Sequence, residues 1–283
     1  MADDDRATEM GIPHFLYGTA WKEGETSALT KLAIQSGFRG IDTANQRKHY
    51  HEAGVGEAIN AAIEEGLVER EELFVQTKFT YVAGQDHRLP YDADAPFARQ
   101  VEQSFTSSLE HLRTDDVDSY ILHGPSTRVG LGRADREVWQ AMEELLDAGQ
   151  VGAIGVSNVS AAQLQKLFEW AEHPPAFVQN RCFARTGWDR KVRRICESNG
   201  ALYQGFSLLT ANTRELRDAR VEAIAERHGR TVPQIVFRFA MQVGMIPLTG
   251  TTSEAHMKQD LACLEFDLSE EELEALESVG IQH

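Results

Sequence analysis

Basic residues are scarce in this chain. Of its 283 residues, 28 are Lys or Arg and 44 are Asp or Glu, a formal net charge of −16 at pH 7. So acidic a protein is repelled by nucleic acid and by anionic membrane surfaces. The expected partners are therefore small molecules, and an anionic ligand would need a local positive site. Cysteine is scarce too. Cys182, Cys196 and Cys263 are odd in number and none belongs to a CxxC pair, which argues against a disulfide framework and against a thiolate metal centre. No metal is expected. No apolar run is long enough to span a bilayer. The opening stretch MADDDRATEM lacks the positive n-region and the apolar h-region of a signal peptide. The expectation is a soluble, cytoplasmic protein, a monomer or weak homo-oligomer. Linkers, low-complexity tracts and fine repeats are missing, so residues 1–283 are expected to form one domain. No GxGxxG follows the first strand pattern, which weighs against a doubly wound dinucleotide fold.

What the sequence does contain is a regular alternation. Short β-type runs recur at HFLYG (14–18), FRGID (38–42), LFVQTK (73–78), VDSYILH (117–123), VGAIGVS (151–157), AFVQN (176–180), LYQGFS (202–207) and GMIPLT (244–249). Several are almost continuously apolar, as in parallel strands buried on both faces. Helical patterns lie between them. Val101, Phe105, Leu109 and Leu112 share one helix face. Val138, Trp139, Met142, Leu145 and Leu146 form another, closed near Gly149, and Ser160 is an N-cap candidate. Eight strands alternating with helices predict an α/β fold, a parallel eight-stranded (β/α)8 TIM barrel, with its active residues at the C-terminal ends of the strands. The long irregular stretch 80–98 is expected to cover a site.

In that frame the second strand ends at Asp42, the third at Lys78 and the fourth at His123, while Tyr50 follows the second strand in the stretch IDTANQRKHYHE (41–52). Singly, each has a bland reading: a turn residue, a solvated lysine, a packing histidine. Together, at successive strand ends, an acid, an ammonium, an imidazole and a phenol favour a catalytic reading. A hydride attacking a carbonyl carbon leaves charge on oxygen, and something must protonate it. A phenol can, provided that its ordinary pKa near 10 is lowered, and a neighbouring ammonium favours the phenolate.

The segments GFRGIDTANQ, GVGEAI, LFVQTK, VDSYILHGP and IGVSNVS resemble the aldo-keto reductases, and the resemblance runs from YGTAW (17–21) to PLTGTTSEAHMKQDL (247–261). It implies a (β/α)8 barrel that reduces aldehydes or ketones with NADP(H), less often NAD(H), without metal or flavin. It implies a catalytic set of Tyr50, Asp42, Lys78 and His123. The family's tyrosine normally stands five residues after the aspartate, where this chain has Arg47. The match resumes at Glu52, so the loop is two residues longer and Tyr50 is the phenol it carries. His49, three before Glu52, is the rival acid. Cofactor contacts implied by the resemblance are Gly18, Thr19, Asp42, Ser157, Asn158, Gln179, Phe206, Ser207, Leu209, Thr249, His256 and Asp260, and Thr251, Thr252 and Ser253 join them because they open a helix whose free N–H groups can bind phosphate. The family's basic pair after the last-strand proline is replaced here by Leu248 and Thr249, with His256 at the place of a following arginine. Substrate-side candidates are Trp21, His49, Tyr81, His87, Tyr91 and His123. The brief tail after SEEELEALESVG implies an open pocket. Two other functions fit the same residues: a cofactor-binding regulatory barrel like the potassium-channel β subunits, and a lyase using Lys78 as a Schiff base.

Overall fold

The computed structural model describes residues 11–281; the acidic opening stretch read above lies outside the described residues. Eight parallel strands close into a barrel in chain order: β1 (Leu16–Gly18), β2 (Gly40–Asp42), β3 (Phe74–Phe79), β4 (Ser119–Leu122), β5 (Ile154–Ser157), β6 (Phe177–Arg181), β7 (Leu202–Phe206) and β8 (Met245–Thr249). The barrel shuts where β1 pairs with β8, Leu16 opposite Leu248 and Tyr17 opposite Thr249. All eight strand expectations are met, six with shorter spans and β3 and β6 shifted by one residue. The run 151–157, for instance, enters the sheet only at Ile154, Val151 making a lone bridge to Val117.

Helices α1 (Thr26–Ser36), α2 (Glu52–Glu64), α3 (Phe97–Leu112), α4 (Arg133–Asp147), α5 (Ala161–Trp170) and α6 (Arg190–Asn199) follow the first six strands in turn. Between β7 and β8 the chain makes two helices, α7 (Ala219–His228) and α8 (Val232–Gln242); α9 (Glu254–Leu261) and α10 (Glu270–Glu277) follow β8. The predicted faces are the buried ones. In α3, Val101, Phe105 and Leu112 are buried and Leu109 is partly so. In α4, Val138, Trp139 and Met142 are buried, and Gly149 supplies the left-handed backbone just past the end. Ser160 caps α5 in a capping box with Gln163. Gly56 in α2 is required by a close approach: a Cβ there would stand 2.1 Å from the His111 carbonyl oxygen of α3.

The inside of the barrel is layered. At its base, Leu16, Phe74, Ile121, Phe177, Leu202 and Ile246 form an apolar plug. Above them the inward positions turn polar. Strand register sets Asp42 beside Gln76, Gln76 beside Ser119, and Gln179 beside Gln204, and all five side chains are buried. The mouth lies above this polar layer.

Candidate active site

A cavity of about 1030 Å³ opens at the C-terminal mouth. At its floor, Lys78 Nζ donates to Asp42 Oδ1 at 2.6 Å and to the Thr43 carbonyl at 2.7 Å. The same carboxylate oxygen accepts from Gln76 Nε2 at 2.6 Å and from Gln179 Nε2 at 2.9 Å. Burial pulls the Lys78 ammonium below its ordinary pKa, and the attached Asp42 carboxylate opposes that pull.

The β2–α2 loop explains why Asp42 and Tyr50 are eight residues apart. The backbone N–H of Tyr50 donates to the Gln46 carbonyl, so residues 46–50 wind into one helical turn. Gln46 Nε2 donates to the Gly84 carbonyl and Asn45 Nδ2 to the Ser104 carbonyl, which pins the turn to its surroundings. The turn takes up the extra residues and returns the phenol to the floor of the cavity. Lys78 Nζ lies 5.4 Å from the centre of the Tyr50 ring, and that ring packs edge-on against His123 at 5.9 Å. The lysine does not lower the phenol as the sequence led us to expect. Burial, followed by the Asp42 charge, holds Tyr50 well above the usual tyrosine range. Lys78 points past the ring to Asp42 and Thr43, so its charge is neutralised there. His49 also lines the cavity, but farther out, stacked on Trp21 with ring centres 3.9 Å apart.

His123 is held as a neutral imidazole. Burial, then the Lys78 and His49 charges, push it down to about 3. Thr80 Oγ1 lies 2.7 Å from its Nδ1. With Thr80 as donor, the Nε2–H is left for the cavity. Thr80 was not a sequence candidate; its place two residues past Lys78 on the outgoing end of β3 was the available signal.

Along the rest of the wall run Gly18, Ser157, Asn158, Gln179, Phe206, Ser207, Leu209, Thr249, Thr251, Thr252, His256 and Asp260, brought together in one cavity. Trp21, Asn158 and Ser207 have left-handed backbone, with φ of 64°, 52° and 57°. Such strain in residues other than glycine gathers at functional sites. Asn158 Nδ2 donates to the His123 carbonyl and to Ser157 Oγ, which leaves the serine hydroxyl free to donate. Burial raises Asp260 to about 6, while its bond from the Thr249 hydroxyl, at 2.8 Å, works the other way.

Lys78 lies fully buried beneath the floor and does not itself line the cavity, and five further candidates do not reach it. Thr19 is fully buried and donates from Oγ1 to the Asp42 carbonyl, tying β1 to β2. Ser253 caps α9 by accepting from the His256 N–H. In the 80–98 stretch, the Tyr81 hydroxyl donates to Asp135 and the Tyr91 hydroxyl to the Thr80 carbonyl, while His87 is exposed to solvent. That loop is held down by its own hydroxyls and does not line the large cavity.

Sequence reading also missed Lys22. It is buried, lines the cavity, donates to the Gly250 carbonyl at 2.8 Å, and is pulled down to about 8 by burial. Its position directly after YGTAW was the signal. Behind Tyr50 lies a smaller cavity of about 330 Å³, bounded also by Arg47, Arg88, Glu52 and His111. There His111 Nδ1 sits 2.9 Å from Glu52, which raises the histidine.

Among the described residues, no helix is long and apolar enough to cross a membrane. The Aldo/keto reductase family profile matches residues 15–281. The chain is 31% identical over 251 residues to the uncharacterized oxidoreductase YtbE of Bacillus subtilis, covering 88% of this chain and 82% of that one. It is 32% identical over 265 residues to the D-galacturonate reductase of Fragaria ananassa, covering 86% and 78%. An aldo-keto reductase enzyme from a Medee basin deep-sea metagenome library superposes with a TM-score of 0.81 at 26% identity, covering 96% of this chain and 93% of that one. A barrel of this order, with an aspartate–lysine pair, a phenol and an imidazole at its mouth, and matches of this extent mean that the chain belongs to the aldo/keto reductase family.

Proposed function

We propose that the protein reduces an aldehyde or ketone to an alcohol with a nicotinamide dinucleotide, NADP(H) before NAD(H), and that Tyr50 supplies the proton. The observation that carries this reading is the convergence of Tyr50, His123 and the Asp42–Lys78 pair on one cavity floor, beside a wall of amides and hydroxyls suited to a carboxamide. When bound, the dinucleotide supplies the hydride. Gln179, Ser157 and Asn158 would hold its carboxamide, with Phe206 against the ring. Lys22 and the hydroxyls of Ser207, Thr251 and Thr252 would meet its phosphates. The buried ammonium at Lys22 takes over some of the positive charge missing after Pro247. NAD(H) remains the alternative, since Leu248 stands where a basic residue would grip the 2′-phosphate.

His123, neutral across the working range, orients the carbonyl oxygen through Nε2–H. It cannot deliver a proton there without becoming an anion, so the proton comes from Tyr50. The phenol, held above its ordinary pKa, begins the reduction protonated. Lys78 limits the charge that Asp42 would otherwise present to the phenolate formed after transfer.

Steady-state oxidation of NADPH by an aromatic aldehyde tests the reading. Many turnovers per enzyme, slowed about 10²–10⁴-fold in Tyr50→Phe with dinucleotide binding intact, is the expected result. A single oxidation of bound dinucleotide without turnover would favour a regulatory barrel. Near-normal turnover in Tyr50→Phe with collapse in His49→Ala would transfer the acid role to His49.

A further inference from the structure

The polar layer beneath the cavity forms a closed hydrogen-bond circuit, and its directions can be deduced. Asp42 as a carboxylate only accepts, so the groups facing its Oδ1 must be the amide nitrogens of Gln76 and Gln179, at 2.6 and 2.9 Å. Both nitrogens also reach Gln204 Oε1, at 2.9 and 3.0 Å. Gln204 therefore turns its own nitrogen to Gln76 Oε1, at 3.0 Å, and that oxygen also accepts from the Ser119 hydroxyl at 3.0 Å. Flipping any one amide sets oxygen against oxygen. The orientation of all three follows from the charge on Asp42.

The consequence falls on Gln179. Its N–H groups are engaged by Asp42 and Gln204, and its Oε1 makes no hydrogen bond among the described residues while the side chain lines the cavity. It offers the cavity an acceptor and no donor. A layer that served only to fill the barrel would be built more cheaply from apolar side chains, since buried amides must recover their lost hydration. Gln76, Ser119 and Gln204 are all fully buried.

We propose that Gln204 and Gln76 are positioning residues that fix Gln179 as an acceptor, so that the site selects a ring bearing a primary carboxamide and rejects the same ring bearing a carboxylate. This rests on the reading that Gln179 meets the carboxamide of the dinucleotide. A carboxamide brings an N–H to the Gln179 oxygen, whereas a carboxylate brings negative charge to it and finds its one side-chain donor nearby at Ser157.

The probe pair is NADP+ and nicotinic acid adenine dinucleotide phosphate, which differ only in that group. Their dissociation constants are measured by fluorescence quenching. The native protein should bind NADP+ tighter by roughly 10- to 100-fold, the range for a lost and mispaired hydrogen bond. In Gln204→Met, Gln179 can turn an N–H toward the cavity, and the ratio should fall to about 3-fold or less. Gln204→Glu supplies a readout that packing alone would not move. Its protonated carboxyl offers one acceptor and one donor, as the amide does, and once ionised it loses the donor to Gln76 but still accepts from Gln179. The titratable groups facing this position are Asp42 on β2 and Lys78 on β3, with His123 and Tyr50 above; β6 and β8 bring Gln179 and Ile246 to its level. Asp42 will raise the pKa of the introduced carboxyl. The ratio in Gln204→Glu should therefore be native at about pH 6 and native or larger at about pH 9, where the ionised carboxylate still holds the Gln179 N–H and adds charge against the carboxylate probe, with the native protein unchanged between them. Titration of Lys22 acts on both dinucleotides alike and cancels in the ratio. An unchanged ratio in Gln204→Met, or one in Gln204→Glu that falls to about 3-fold or less at either pH, overturns the proposal. If Gln204→Met does not fold, Gln204→Glu decides. A native protein that binds both probes equally also overturns it and leaves dinucleotide binding standing. One that binds neither removes the reading beneath it.

Discussion

Two lysines sit buried at the mouth of this barrel, and they are held in opposite ways. Lys78 is ion-paired to Asp42 at 2.6 Å. Lys22 has a backbone carbonyl, that of Gly250, and the Tyr17 ring 5.0 Å away, and no carboxylate within ion-pair distance among the described residues. Burial pulls both ammoniums down. A desolvated charge with an internal counterion belongs to the scaffold, and removing it strands its partner. A desolvated charge held by dipoles alone is poised for an anion from outside. On the proposed reading, the contrast divides the cavity into a reacting end and a phosphate end.

The severest test of that division is Lys78→Met. It leaves Asp42 buried without its counterion, and we expect a loss of about 3–5 kcal/mol in stability by chemical denaturation. Carbonyl reduction should fall with it. Lys22→Met, in contrast, removes a desolvated cation that no acid pairs with, and should melt at or above the native temperature. If Lys22→Met is as destabilising as Lys78→Met, the distinction between the two lysines is broken.

Tyr50→Phe sharpens the reacting end. It should cost about 10²–10⁴-fold in kcat, the contribution of a positioned acid, while the dissociation constant for NADPH and the melting temperature stay close to native. At the phosphate end, Lys22→Met should weaken NADPH by roughly 10- to 100-fold, the worth of a charge-assisted contact, with kcat at saturation nearly unchanged. The pH dependence has a definite sign. Lys22 is held down to about 8, so native affinity should be flat below that pH and weaken above it as the ammonium loses its proton. Lys22→Met should lack that limb.

The smallest effect concerns Asp260, raised by burial to about 6 from its ordinary value of 3.8. Between those values the folded chain keeps a proton that the unfolded chain has released, so this group makes stability fall as pH rises through the window. Asp260→Asn should therefore gain on the order of 1 kcal/mol above pH 6 and nothing at pH 3, measured by melting at each pH. His123 pulls the other way. Held down to about 3, it remains neutral in the fold while the unfolded imidazole takes a proton, so its contribution is full above about 6.5 and is lost as pH falls toward 3.

Much of this was legible in the sequence because it is local. Strands buried on both faces announce themselves as apolar runs, and a barrel places their last residues at one mouth, which is enough to gather Asp42, Lys78 and His123. What could not be read depends on where hydrogen bonds end. Nothing in 80–98 says that the Tyr81 and Tyr91 hydroxyls bind Asp135 and the Thr80 carbonyl; a phenol in a loop looks the same whether it faces a substrate or a neighbour. Gln76 and Gln204 are 128 residues apart and meet only when the barrel closes. The state of Tyr50 was misread because a list of neighbours counts charges, whereas burial acts on the phenolate whatever its neighbours are.

Tyr50 borders both the large cavity and the small one behind it, and among the described residues it is the one side chain common to their linings. It is a partition between two rooms. Cutting it back to a small side chain would therefore not leave a sealed void of the kind that collapses or stays dry. It would open a doorway from a chamber of about 1030 Å³ into an annex of about 330 Å³. The ring to which we assign the proton transfer is thus also the ring that closes off the annex, so on that assignment the barrel's chemistry and its reach change together at a single position.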